Sequence, residues 1–134
     1  MTNDISHSDR ATDLGVVRIN NEAIKTIASV AAMEVRGVHR VSSGIRKTLY
    51  EIFFHRPTSG GVKISVKDSE ITLIVPIVVD YGVDIPRVAD EVQDSVKRAV
   101  EKMTGLIMSE VDVTVDGVYT APLYDKEKRR GSTI

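Results

Sequence analysis

The segment Ile71–Val79 constrains the fold most strongly, because apolar side chains follow one another along it with little interruption. Such a run predicts a β-strand that is covered on both faces for part of its length. The preceding segment Val62–Lys67 alternates apolar residues with Lys and Ser, which predicts a half-buried strand. Residues 67–70 resemble a turn, so the two segments form a hairpin. Pro76 cannot donate a backbone hydrogen bond and therefore predicts a bulge or an unpaired edge within the second strand.

Two amphipathic helices are predicted, one on each side of this hairpin. The first begins after the N-cap candidates Asn20 and Asn21 and ends near Gly37. The second begins after Asp84 and stops at Gly105. Apolar residues at helical spacing line one side of each helix. They are Ile24, Ile27, Ala28, Ala31 and Val35 in the first helix and Val88, Val92, Val96, Ala99, Val100 and Met103 in the second.

Two further strands complete the predicted fold. Val16–Ile19 precedes the first helix, and Val111–Val118 alternates apolar and polar residues after the second. The order strand, helix, hairpin, helix, strand predicts an α+β fold of the split βαβ type, with about four mainly antiparallel strands and two principal helices on one face. Residues 14–119 form this domain. Residues 1–13 and 120–134 are polar or charged and are predicted to be flexible tails.

Composition excludes several classes of protein. The 134 residues include 18 Lys and Arg against 19 Asp and Glu, so a general polyanion-binding protein is not expected. The chain has no Cys, which excludes disulfides, thiolate metal sites and cysteine nucleophiles and fits a reducing cytosol. No apolar run approaches the roughly 18–20 residues of a membrane span, and the polar N-terminus does not resemble a signal peptide. A cytoplasmic protein is therefore predicted.

Eight short segments of the chain form a recognisable series through their order and spacing. They are Gly15–Ile19, Ile24–Ala31, Glu34–Val38, Val78–Gly82, Ile85–Ala89, Val92–Gln93, Met103–Leu106 and Val111–Val118. In this order they resemble the bacterial alkaline shock protein family, which includes the Gls-type general stress proteins. The resemblance covers roughly residues 14–119. Between Val41 and Gly61 the chain departs from the family, whose members are variable and often Gly-rich there.

The resemblance implies a non-enzymatic protein of the cell-envelope stress response, of a kind found mainly in Gram-positive bacteria. Family members are abundant cytosolic proteins, and some are held at the membrane by a small partner protein that carries the membrane-spanning segment. Others are linked to the control of fatty-acid synthesis through acetyl-CoA carboxylase. No enzymatic activity or cofactor is established for the family, so the resemblance supplies no catalytic residues and implies no cofactor.

The residues themselves offer little chemistry. The three His lack the i, i+4 spacing of a helical zinc pair, so solvated side chains are expected. Asp112 and Asp116 share the outward face of the last predicted strand and could meet Asp80 across the sheet, forming an acid–base or cation site. The alternative is that they form the hydrated face of that strand. The chain contains neither a complete Walker pattern nor a nucleophile elbow, so an enzyme is not predicted.

Residues 36–56 form the most distinctive stretch of the chain, with a local charge of +4, and residues 45–56 are its candidate docking segment. The segment is basic and aromatic in a chain with a net charge of −1, and its apolar residues fall at helical spacing. Three alternatives remain open: a third helix packed on the domain's own core, a docking surface for a protein partner, or a contact with anionic lipid or RNA. The hypothesised partner-binding residues are Arg46, Lys47, Leu49, Tyr50, Phe53 and Phe54.

Replacing two rings of this segment distinguishes the first two alternatives. If the segment docks a partner, Phe53→Asp with Phe54→Asp abolishes partner capture and leaves the fold intact, because the rings then face solvent in the free protein. Affinity purification of the tagged protein measures capture, and circular dichroism measures folding. Loss of folding instead shows that the rings belong to the core.

Three functions agree with these observations. The first is a scaffold or regulatory protein of the envelope stress response that recognises other proteins, with a small membrane-anchored protein as the candidate partner. The second is a regulator bound to acetyl-CoA carboxylase subunits. The third is a small RNA-binding domain, which the scarcity of aromatic residues in the predicted strands disfavours, so no nucleic acid partner is expected. The sequence does not decide whether the chain forms homo-oligomers through a sheet edge near Pro76. Any membrane association is expected to occur through a partner protein rather than by direct contact with lipid.

Overall fold

A computed structural model describes residues 10–43, 61–67 and 70–121 of the chain. Six strands and two helices follow one another within these residues. In chain order they are β1 (Arg10–Thr12), β2 (Gly15–Val17), α1 (Asn21–Met33), β3 (Val38–Val41), β4 (Lys63–Lys67), β5 (Glu70–Asp80), α2 (Ile85–Thr104) and β6 (Met108–Tyr119). The predicted α+β class is confirmed, and both predicted helices are present.

Strand β5 lies at the centre of the main sheet. Along one edge it pairs in parallel with β6, from Ile71 opposite Met108 to Asp80 opposite Tyr119. Two antiparallel strands share its other edge, where β4 pairs with the first half of β5 and β3 pairs with the second half. The core face of β5 lies beneath the helices, and Val78 on the other face is also buried, so both faces are covered for part of the strand as its apolar run predicts.

Pro76 lies in β5 between the two antiparallel partners. β4 pairs with β5 as far as Ile74, and the pairing with β3 starts at Ile77. The Pro76 oxygen accepts a 2.9 Å hydrogen bond from the backbone nitrogen of Ser42, so the Pro76 nitrogen faces the same edge, at the junction between β4 and β3. The missing N–H therefore interrupts no strand pair among the described residues, which agrees with the unpaired position expected from the sequence.

The first predicted strand, Val16–Ile19, does not join the main sheet. Part of it forms β2, which pairs with β1 in a separate two-stranded sheet. Val16 and Val17 are more than half exposed, so this hairpin buries little apolar area against the domain. The fourth strand of the main sheet is β3, which has only two apolar residues and therefore no clear alternating pattern. β1 also begins inside the predicted N-terminal tail, whereas residues 1–9 and 122–134 lie outside the described residues.

Local capping determines where both helices begin, and where α2 ends, as the sequence predicts. The Asn20 side chain accepts a hydrogen bond from the backbone nitrogen of Glu22 at the start of α1. The Asp84 side chain accepts one from the backbone nitrogen of Arg87 at the start of α2. Gly105 ends α2 in the left-handed conformation, with a φ of 76°. Asp84 and Gly105 thus define the two ends of α2, which follows β5 and precedes β6 in the chain.

The core lies between the two helices and one face of the sheet. Ala28, Ala31 and Ala32 of α1 are fully or almost fully buried, and their small size allows α1 to pack closely against α2. The Ser95 hydroxyl on α2 donates to the backbone oxygen of Ala31 at 3.0 Å and links the two helices. α1 ends at Met33, earlier than the predicted Gly37. The buried stripe of α2 consists of Val88, Val92, Val96 and Val100.

Candidate interaction surfaces

The predicted partner-binding residues all fall within residues 44–60, outside the described residues. They are Arg46, Lys47, Leu49, Tyr50, Phe53 and Phe54. The docking hypothesis for residues 45–56 therefore stays a prediction. The described residues form two surface grooves and a small cluster around His39.

The predicted meeting of Asp80 with Asp112 does not occur. Asp112 is opposite Ile74 in the pairing of β5 with β6, whereas Asp80 is opposite Tyr119. The two positions on β5 are six residues apart, which corresponds to about 20 Å at roughly 3.3 Å per residue. Within the described ranges, no group of three or more His, Cys, Asp or Glu residues could hold a metal ion. The strand register therefore separates Asp112 from Asp80, whereas Asp116 falls in the register shift between Val115 and Gly117, where the alternation predicted to place it on one face with Asp112 is interrupted.

His39 belongs to a small cluster at the end of the sheet where β3, β5 and β6 meet. Its Nδ1 atom lies 3.1 Å from Oδ1 of Asp80, and its ring stacks on Tyr119 with ring centroids 3.8 Å apart and an angle of 6° between the planes. The side chains of His39 and Asp80 are 36% and 48% exposed, so water screens their interaction. The expectation of a solvated His missed these contacts, because both partners are distant in sequence.

An open apolar groove of about 350 Å³, the helical groove, lies between α1 and α2 at the protein surface. Two of its large apolar side chains face solvent, since Val30 is 54% and Met103 is 68% exposed. The sequence places Met103 on the apolar side of the second helix, but the side chain points into this groove rather than into the core. The lining residues are Thr26, Ile27, Val30, Ala31, Glu34, Ala99 and Met103.

A second groove of about 530 Å³, the acidic edge groove, separates α2 from the edge strand β6. Four of its lining residues are acidic and one is a lysine, a formal net charge of −3. Glu110 and Asp112 pair with Thr72 and Ile74, so their side chains lie on the sheet face away from the helices, beside the edge of β6. The Gln93 side chain on α2 reaches β6, where its Nε2 donates to the backbone oxygen of Val111 at 3.0 Å. The charged lining residues are Asp90, Asp94, Lys97, Glu110 and Asp112.

These two grooves are suited to binding. The helical groove offers apolar area, which is favourable to cover, and the acidic edge groove offers carboxylates beside the backbone of an edge strand. Neither of the two helices in the described ranges combines the length and the apolar character that crossing a membrane requires.

Residues 9–120 match the family model of alkaline shock protein 23, whose description gives a cell envelope-related function. The chain belongs to this family. The match spans most of the chain and confirms the resemblance found in the sequence. The envelope-related part of the predicted function is thereby confirmed at the level of the family, whose description names no reaction.

Several bacterial proteins are similar to this chain over most of its length. YqhY of Bacillus subtilis is 36% identical over 85% of this chain and 83% of its own, and YloU of the same species is 34% identical over 80% and 91%. A Streptococcus pyogenes protein named stress response regulator gls24 homolog is 25% identical over 85% of this chain and 64% of its own. The solved structure MamM-CTD aligns with a TM-score of 0.45 at 20% identity over 73% of this chain and 99% of that chain, which is too weak a likeness for a functional conclusion.

Proposed function

We propose that this chain is a non-enzymatic scaffold or regulatory protein of the bacterial cell-envelope stress response, and that it acts by protein–protein recognition. The family description supports the link to the envelope. The name of the gls24 homologs, stress response regulators, supports the link to stress. The observation that carries protein recognition is the helical groove, where large apolar side chains are exposed to water in the isolated chain.

The helical groove is suited to an amphipathic helix of a partner protein. Ile27, Val30 and Ala31 of its lining lie at i, i+3 and i+4 on α1, so they form a continuous ridge along that helix. Glu34 follows at i+7, just after the helix ends. Met103 on the facing helix has a flexible thioether side chain that adapts to different apolar groups. A helix placed in this groove buries its own apolar face and keeps its polar face in water, which is a common mode of recognition.

Placing two charges in the helical groove is expected to abolish partner capture. Val30→Asp with Met103→Asp leaves the fold intact, because both side chains are more than half exposed. Covering the new carboxylates with an apolar helix is costly, so we expect recovery of the partner to fall about tenfold or more, equivalent to about 1.4 kcal/mol or more. The measurement is affinity capture of the tagged chain from crosslinked cells, with membrane and soluble fractions analysed separately by mass spectrometry.

Val17→Asp with Ile107→Asp is the matched control for this experiment. Both residues are exposed and apolar, at 55% and 79%, and neither lines the helical groove. We expect this control to capture as much partner as the original chain. An equal loss of capture in both double variants contradicts the helical groove as the docking site. A change in sedimentation of the purified protein that is confined to the groove variant identifies a second copy of the chain as the occupant instead.

The identity of the captured protein separates the two candidate roles. A small membrane-anchored protein that dominates the membrane fraction supports the proposed envelope scaffold. Acetyl-CoA carboxylase subunits in the soluble fraction would make the chain a regulator of fatty-acid synthesis, and the envelope proposal would be abandoned.

A further inference from the structure

We propose that the outer edge of β6 binds an extended, basic segment of a partner protein as an additional strand. The binding site is the acidic edge groove between β6 and α2. This interface is separate from the helical groove and goes beyond the function proposed above, because it does not depend on which protein occupies that groove.

β6 has the properties of an open sheet edge. Within the described residues it pairs with β5 alone, and the register of this pairing is continuous from Glu110 to Val115. Backbone groups of alternate residues point to opposite edges of a strand, so half of those in this stretch point away from β5. Pro or a short length commonly blocks such edges, whereas β6 has 12 residues and no Pro. Its charged residues are all carboxylates, which discourage pairing with an acidic strand but not with a basic one. Register shifts on both sides restrict an added strand to about the length of the continuous stretch.

Near the start of this stretch, the β6 backbone already accepts a hydrogen bond from outside the sheet. Gln93 lies on α2, and its Nε2 donates to the backbone oxygen of Val111 at 3.0 Å. The groove therefore brings polar groups within reach of the β6 backbone. A partner strand supplies a row of N–H donors and C=O acceptors to the same edge, and this is how strand addition produces affinity.

The charges beside the edge favour a basic occupant. Asp90 on α2 and both Glu110 and Asp112 on β6 line the groove, and none of the three forms an ion pair among the described residues. Asp94 has an ion pair with its own helix, and Lys97 is the one lysine of the lining. In paired strands, side chains of alternate residues share a face, so Lys or Arg at every second position of the partner lies opposite Glu110 and Asp112.

A second copy of this chain fits the edge poorly. Pairing one β6 with another brings Glu110 and Asp112 of both chains into one sheet, and like charges on neighbouring strands are destabilising. Nucleic acid is repelled by the same carboxylates, since its recognition depends on neutralising phosphates with Lys and Arg. A basic, extended segment of a different protein is therefore the occupant that the charges favour.

The test titrates the purified chain onto a fluorescently labelled peptide of about ten residues in which Lys alternates with Val. Fluorescence anisotropy at low salt is expected to show saturable binding, because exposed charges are only weakly screened there. Glu110→Gln with Asp112→Asn should weaken binding about tenfold, as expected for the loss of two ion pairs at an accessible site. Hydrogen–deuterium exchange should slow at backbone amides in residues 109–115 when the peptide is bound, and remain unchanged in β3 and β4.

Two controls separate strand addition from simple charge attraction. Two peptides are N-methylated at every second residue, one at the odd and the other at the even positions. Both keep every charge, but each lacks the N–H groups along one of its edges. The peptide that lacks the N–H groups facing β6 should fail to bind. Glu22→Gln with Asp13→Asn removes two exposed carboxylates that line neither groove and should leave binding unchanged.

Several results would overturn the proposal. They are the absence of binding, equal binding of both N-methylated peptides, and an equal loss in the control variant. Hydrogen–deuterium exchange in β6 is also measured without peptide at several protein concentrations. If the exchange slows as the protein concentration rises, a second copy of the chain is the occupant. The capture experiment on the helical groove is independent of all these outcomes, because it uses different residues and a different readout.

Discussion

Gly37→Ala is expected to lower the free energy of unfolding by about 2–5 kcal/mol, because backbone strain of about 1–2 kcal/mol adds to overpacking of about 1–3 kcal/mol. Gly37 has a φ of 104°, which residues with a side chain rarely adopt, and an added Cβ would lie 2.8 Å from Cγ2 of Val88. Val88 is completely buried on α2. The Gly37 oxygen accepts a 2.9 Å hydrogen bond from the nitrogen of Asp80, which restrains the backbone from moving away. Urea unfolding followed by circular dichroism measures the loss, since the chain has no Trp.

Gly82→Ala is the matched control that separates strain from overpacking. Gly82 has a φ of 95°, but a Cβ placed there has no heavy atom within 4 Å. We therefore expect a loss of only about 1–2 kcal/mol. Adding Val88→Ala to Gly37→Ala should recover part of the Gly37→Ala effect in a double-mutant cycle, because the contacting methyl groups are removed. Equal losses for the two Gly replacements would contradict a close contact between Gly37 and Val88.

Leu73→Ala is the second replacement with a large expected effect, a loss of about 3–5 kcal/mol in the free energy of unfolding. Leu73 is completely buried near the middle of β5, with Ile64 of β4 opposite on one side and Val111 of β6 opposite on the other. Backbone pairing on both edges prevents the neighbouring strands from collapsing into the cavity. A domain with a typical stability of about 5–15 kcal/mol would lose a large part of it. The measurement is the midpoint and slope of a urea transition.

Ile74→Ala is the matched control on the adjacent residue. Ile74 lies on the opposite face of β5 and is only partly buried. We expect a loss of about 1 kcal/mol, because less apolar area returns to water and no enclosed cavity forms. A loss as large as that of Leu73→Ala would show that the two faces of β5 have been assigned incorrectly.

The features that could be predicted from the sequence are those with a local cause. Asn20 and Asp84 mark helix starts and Gly105 marks a helix end, because capping depends on the side chain or the backbone conformation of that residue. The Val residues of α2 and the apolar run of β5 identify the core. A helix buried on one side shows apolar residues at helical spacing, and a strand buried on both faces shows a continuous apolar run instead of alternation. The order of these segments along the chain was also sufficient to recognise the family.

The candidate surfaces were harder to predict than the core. Residues 45–56 attracted attention through their charge and aromatic residues, and they lie outside the described residues. The helical groove could have been found from Val30, which is an apolar residue outside the apolar stripe of α1. The acidic edge groove had no such signal, because its two walls, α2 and β6, come together only when the helix packs beside the strand.

By itself, the sequence determined the α+β class, both helices, the buried central strand and the family. Only the tertiary structure decided that Val38–Val41 completes the main sheet in place of Val16–Ile19, and that Asp80 lies far from Asp112. The physical reason is that strands pair through backbone groups, which are the same in nearly every residue. Strand order and register therefore depend on which side chains the whole fold can bury together, and no short segment of the chain contains that information.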